Sequence, residues 1–227
     1  MVTNLTIIVS KGVTEMFKKT LIALLLVCFF STASMALEVA NLAVVNLTPV
    51  KATVFFTTDE PCQGKVIYQG QDKVDYLAME EAIGKFHAVE VKGLNESSAY
   101  YFKLRLVDSE GKVLANLSND DYAFTTPAHG LAMPSSIYGK VSGKTEVAVL
   151  VSVNGAESKS LPLMATPDKQ GMWTVNLGDL KAANGKAMAA AQGDVIEITA
   201  ISSDGIIKTD SAVADGTTLQ KVNDVNF

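Results

Sequence analysis

Nucleophilic and metal chemistry needs histidine, cysteine or converging carboxylates, and this sequence is poor in the first two. It holds two histidines, His87 and His129, and two cysteines, Cys28 and Cys62. A nucleophile–histidine–acid relay needs three side chains brought together, and a structural zinc needs four ligands. His87 opens an alternating apolar segment and His129 lies in a Pro/Gly-flanked stretch. A structural role is expected of His87, and nothing in the spacing joins it to Cys62. No glycine-rich phosphate loop, dinucleotide-binding fingerprint or serine nucleophile elbow is present. The expectation is a non-enzyme with no cofactor, no catalytic residue and no metal ligand.

Carboxylates and aromatic residues offer three weaker constellations. Asp108-Ser109-Glu110-Gly111, Asn119-Asp120-Asp121 and Asp168 to Gly171 place oxygens in turns, as a calcium site would. Calcium wants six to eight oxygens, however, and Asp or Asn in a turn usually bonds to its own backbone. Glu80-Glu81 reads as a solvated connection rather than one half of a glycosidase pair, whose requirement is spatial. Trp173, Tyr101 and Tyr138 could form an aromatic platform for a polysaccharide. Trp173 lies in Met172 to Leu177, which has the pattern of a half-buried strand, and core packing is the expected role.

These residues must be positioned by folded elements, and the first decision is which residues belong to the fold. From Met16, Lys18 and Lys19 precede an apolar run from Thr20 to Phe30, and Ser34-Met35-Ala36 supplies small residues for cleavage. This is the pattern of a signal peptide, with translation starting at Met16 and residues 1–36 removed. The run is too short for a transmembrane helix, which needs about 20 apolar residues. Cys28 leaves with the leader. Cys62 then stands alone, either buried or available for an intermolecular bridge. The net charge is −5, and loss of three lysines and one glutamate with the leader makes the remainder more acidic. Nucleic-acid binding and attachment to an anionic membrane are therefore not expected.

After the leader the chain reads as strand after strand. Val39–Leu47, Ala52–Thr58, Lys65–Tyr68, Val74–Leu77, Phe86–Val91, Tyr100–Val107 and Tyr122–Thr125 carry alternating or β-branched residues. Asp59-Glu60-Pro61 is expected to break the second from the third. Short strands with turn residues between them indicate an antiparallel sandwich. Residues 37–127 resemble a fibronectin type III domain. The likeness rests on Val54 to Pro61, with Phe56 at the position where the family usually has tryptophan, on Val66-Ile67-Tyr68, on Leu94 to Tyr100, and on Phe124 to Pro127. The resemblance implies that Leu94 and Tyr100 form the corner at which the tyrosine hydroxyl bonds to nearby backbone.

Residues 128–134 read as a linker. Beyond them Ser136–Val141, Glu146–Val153, Lys159–Ala165, Met172–Leu177, Val195–Ile201 and Ile206–Thr209 are expected strands. Asn154-Gly155 is a hairpin signal. Leu180 to Gln192, rich in alanine, reads as a surface loop or short helix. Residues 135–227 resemble the Ig-like and carboxypeptidase-regulatory-type sandwiches of exported bacterial proteins, on Gly139-Lys140-Val141, Val149 to Val153 and Thr166 to Val175. The fold class is thus all-β, with two tandem antiparallel β-sandwich domains behind a leader. Phe56, Leu94, Tyr100 and Trp173 are structural in this reading. The expected function is a non-catalytic exported module, periplasmic, cell-surface or extracellular, making protein–protein contacts with an envelope protein or a second copy of itself. A carbohydrate-binding accessory module is the alternative, and a hydrolase ranks below both.

Overall fold

The strand pattern is realised as two groups of sheets in a computed structural model that describes residues 37–130, 133–156 and 158–227. The leader expected over residues 1–36, with its start at Met16, lies outside the described residues. In the first group, β1 (Val39–Val45) pairs antiparallel with the first half of β2 (Lys51–Gln69), Val39 facing Thr58 and Val45 facing Thr53. Strand β4 (Gly84–Lys92) flanks the same half of β2. The second half of β2 pairs instead with β3 (Tyr76–Met79) and β5 (Ala99–Val107). Strands β6 (Val113–Leu117) and β7 (Ala123–Thr125) both pair with β5.

The break expected at Asp59-Glu60-Pro61 is instead a corner within one strand. The register against β4 slips between Thr57 and Cys62, which is where Pro61, lacking an N–H, costs no ladder bond. Asp59 accepts from the Glu38 backbone N–H at 2.8 Å, and Thr58 Oγ1 donates to the Glu60 carbonyl at 2.8 Å. Strand β2 thereby passes from one layer of the sandwich to the other. Between the layers lie Val54, Phe56, Val66, Val89, Val91, Phe102, Leu104 and Phe124. Strand β5 shows the period of two plainly: Tyr100, Phe102, Leu104 and Leu106 are buried, while Tyr101, Lys103 and Arg105 are exposed.

The second group has two four-stranded sheets. One has the order β10 (Leu163–Ala165), β9 (Val147–Asn154), β12 (Val195–Ser202), β13 (Ile207–Val213). After Asn154 the chain turns back at once, with Asn154 bridged to Lys159. The other sheet centres on β8 (Ser136–Ser142), with β11 (Met172–Asn176) on one side. On its other flank are β14 (Leu219–Lys221) and β15 (Val225–Asn226). Both run parallel to β8, so this sandwich is not wholly antiparallel. Its core contains Ile137, Val149, Val151, Trp173, Ile196, Ile198, Val222 and Val225.

The alanine-rich segment forms the loop that was one of its two expected states, with no helix, but it is anchored at its start. A 3-10 turn at Leu177–Asp179 leads into irregular backbone held by the bridges Ser160–Ala182 and Lys181–Ala187. Leu180 and Ala182 are buried, and Leu180 packs into the core of the second sandwich.

The two groups meet in a small apolar contact. Val45 and Phe55 from the first pack with Ala148 and Ile201 from the second, ringed by Phe86, Leu150 and Met164. Asn46 adds a polar clamp. Its amide donates to the Met164 carbonyl at 3.1 Å and accepts the Met164 N–H at 2.8 Å. Asn46 has φ 52°, a left-handed conformation that asparagine tolerates better than most residues. Its side chain mimics a neighbouring strand and occupies the free edge of β10.

Candidate functional site

Among the described residues, a cluster of reactive side chains forms under the corner of β2, and it joins residues that the sequence kept apart. His87 on β4 and Cys62 on β2 are both 0% exposed. His87 Nε2 lies 3.0 Å from Thr58 Oγ1 and 3.6 Å from Cys62 Sγ. Its other ring nitrogen, Nδ1, makes a short hydrogen bond to Glu80. Glu80 also accepts the Gly64 N–H at 2.8 Å. It therefore is not the solvated residue of a polar connection but the anchor of that connection over the sandwich end.

The imidazole stacks on Phe56, with ring centroids 4.5 Å apart and an interplanar angle of 18°. Gly64 makes room for this layer. A Cβ there would stand 2.7 Å from Glu80 Oε1 and 2.9 Å from the Phe56 ring.

Acid, imidazole and thiol thus follow the order of a nucleophilic relay, but the thiol's environment opposes that chemistry. Burial pushes the Cys62 pKa up. The hydrogen bond with Thr58 works against this, and the Glu80 and Asp59 carboxylates push it further up. Reactive cysteines need the opposite shift, since the thiolate is the nucleophile. With Sγ buried, an intermolecular disulfide through Cys62 requires the corner to open first. The arrangement is suited to holding three elements together: the β2 corner, β4 and the connection carrying Glu80.

The other residues singled out in the sequence fall in separate places. The Tyr100 hydroxyl accepts the Asn95 N–H at 2.8 Å, and Leu94 is buried beside it. Trp173 is 3% exposed, packed on Gly139, and its Nε1 has no hydrogen-bond partner among the described residues. It cannot form a surface platform with Tyr101, which is 60% exposed on the first sandwich. The turn carboxylates serve their own backbones. Asp108 accepts from the N–H groups of Glu110 and Lys112, and Asp168 from those of Gln170 and Met172. Among the described residues no three His, Cys, Asp or Glu side chains are grouped as metal ligands. His129 is paired with Glu96, donor and acceptor 2.8 Å apart, at the exposed start of the linker.

Two surface features lay beyond the sequence reading. A cleft of about 250 Å3 is lined by Tyr68, Tyr76, Tyr100, Asp72, Asn95 and Ser98. Tyr76 stacks on Tyr68, and its hydroxyl donates to Asp72 at 2.7 Å. The second is the outer face of the sheet β3–β2–β5–β6. Leu77 and Met79 are 55% and 52% exposed there, beside Ile67, Lys65, Lys103 and Arg105. The alternation of Tyr101, Lys103 and Arg105 was visible in the sequence. Leu77 lay within the strand expected over Val74–Leu77, whereas Met79 lay beyond it, because β3 runs two residues later, over Tyr76–Met79.

No protein-family model matches the chain, and no curated protein matches it. Among solved structures it is similar to the FN1-FN3 domains of chicken CNTN1, with 11% identity over 82% of this chain and 67% of that one, at a TM-score of 0.33. It is also similar to a pullulanase from Anoxybacillus sp. LM18-11, with 11% identity over 74% of this chain, at a TM-score of 0.23. The same enzyme complexed with maltotriose gives 13% identity and the same TM-score of 0.23. The chain spans 25% of that pullulanase. At such TM-scores these likenesses carry no argument about a site. The all-β class rests on the strand pairing itself.

Proposed function

We propose that this chain acts outside the cytoplasm as a non-catalytic module that makes protein–protein contacts in an envelope or extracellular assembly. The observation that carries this reading is the junction. Val45, Phe55, Ala148 and Ile201 pack together and Asn46 bonds twice to Met164, so two sandwiches are tied into one body able to present surfaces at fixed spacing. Export rests on the leader pattern in the sequence. Among the described residues no helix is long and apolar enough to cross a membrane. The buried thiol, held protonated by its surroundings, supports a non-enzymatic role for the Cys62–His87–Glu80 cluster.

The test is affinity purification of residues 37–227 from the native envelope and medium. Reproducible recovery of a protein partner is the expected result. Recovery of polysaccharide with no protein would favour the second reading, a carbohydrate-binding accessory module. The tyrosine-lined cleft at Tyr68, Tyr76 and Tyr100 favours that reading, since aromatic rings beside Asp72 and Asn95 suit a sugar's mixed apolar and hydroxyl faces. In that case Tyr76→Ala should abolish retention without lowering the melting temperature by more than a few degrees, because Tyr76 is half exposed.

A further inference from the structure

The outer face of β3–β2–β5–β6 combines two features that a solvated sheet has no need of. The first is like charge placed directly across a ladder. Lys65 on β2 faces Arg105 on β5, with Lys103 two residues along on the same side of β5. Like charges at opposed positions destabilise a sheet. None of the three cations has a carboxylate partner among the described residues, and Arg105 bonds only to Asn116 at 3.2 Å. This occurs on a chain whose net charge is −5.

The second feature is aliphatic exposure beside those charges. Register places Met79 opposite Lys65, and Leu77 opposite Ile67, which itself faces Lys103. A cleft of about 290 Å3 is lined by Ile67, Tyr101 and Lys103 together with the polar Gln69, Asp75 and Asp120. The face therefore carries cations at Lys65, Lys103 and Arg105 interleaved with exposed Met79 and Leu77 and half-buried Ile67.

We infer that this face is the docking surface for an acidic protein segment that carries aliphatic side chains. Its carboxylates answer Lys65, Lys103 and Arg105, and an aliphatic side chain fills the cleft beside Ile67 and Tyr101. A protein segment fits better than an acidic polysaccharide, because Leu77, Met79 and Ile67 offer aliphatic surface while Tyr101 is the single exposed ring among them. The face is four strands wide, roughly 15–20 Å on a side, so the contact is of the small, transient kind. This inference rests on the protein-contact reading proposed above and gives it a surface and a partner chemistry.

The probe is a fluorescein-labelled peptide of alternating glutamate and leucine, titrated with the protein and followed by anisotropy. Binding that weakens as salt rises is expected, together with at least a tenfold loss in Lys65→Glu/Arg105→Glu and in Leu77→Ser/Met79→Ser. Lys51→Ser, which alters a cation on the other layer of the sandwich, should leave binding unchanged. All of these positions are on the surface, and an unchanged melting temperature separates lost contact from lost fold. Absence of binding, binding indifferent to the paired substitutions, or equal binding of polyglutamate and of a uronic-acid polysaccharide would each overturn the inference. A photo-crosslinking residue at position 103 or 208, used in the native source, separates this failure from failure of the broader reading. Protein adducts from 208 and none from 103 would overturn the face alone, whereas adducts from neither would count against both.

Discussion

His87 is gripped at both ring nitrogens by groups from different elements, Glu80 on one side and Thr58 with Cys62 on the other. His87→Ala leaves a cavity under Phe56 and strands the Glu80 carboxylate, so a loss of about 2–4 kcal/mol in urea denaturation is expected. Gly64→Ala forces the same layer apart and should cost about 1–3 kcal/mol by the same measurement.

Cys62 gives a pH-dependent signature. Its folded pKa is raised above the ordinary thiol value, so the folded state keeps its proton longer than the unfolded one does. The associated stability is full below the ordinary thiol range and falls as pH rises through it. The urea midpoint of the native protein should therefore decline more steeply above about pH 9 than that of Cys62→Ala. A thiol-reactive dye should label the native protein only when denaturant is added. The role of Tyr100 came from the fibronectin resemblance, and the partner of its hydroxyl, Asn95, is five residues away. Glu80 was not legible in the sequence, because its partner sits on another strand and a pair of glutamates between strands looks solvated.

At the scale of elements, the corner in β2 and the clamp on β10 decide how the sheets are used. Proline and two acidic residues in a row look like a loop, and only the neighbouring strands turn them into a bulged corner. Asn46 fell inside the strand expected over Val39–Leu47, but β1 ends at Val45, and the Asn46 amide satisfies both backbone groups of Met164 instead. Asn46→Gly preserves the left-handed backbone and removes both bonds. Faster hydrogen exchange at the Met164 amide is expected, with about 1–3 kcal/mol lost. Strand β6 escaped the sequence reading because Val113 to Leu117 alternates weakly, and β14 and β15 because they are too short to show a period. Pairing with strands remote in sequence creates all three.

For the whole molecule, the informative contact is the junction of Val45, Phe55, Ala148 and Ile201. In the sequence these residues were indistinguishable from those of the two cores, since a buried patch between sandwiches uses the same apolar types as a buried patch within one. Ala148→Glu places an unpaired charge there, which is costly to bury. Calorimetry should then resolve two unfolding transitions where the native protein gives one, and small-angle scattering should show a larger radius of gyration.

The parallel flank of β8 bears on the order in which the molecule can assemble. The first sandwich draws all its paired strands from residues 39–125, so a chain emerging N-terminal end first can complete it early. Strand β8 opens the second sandwich but must wait for residues 219–226 before Val222 and Val225 can seal the core beside Ile137. Closing so long a loop is slow. During that wait the second half exposes an unpaired strand beside apolar side chains, which makes it the part of the newborn chain in greatest need of a holding chaperone.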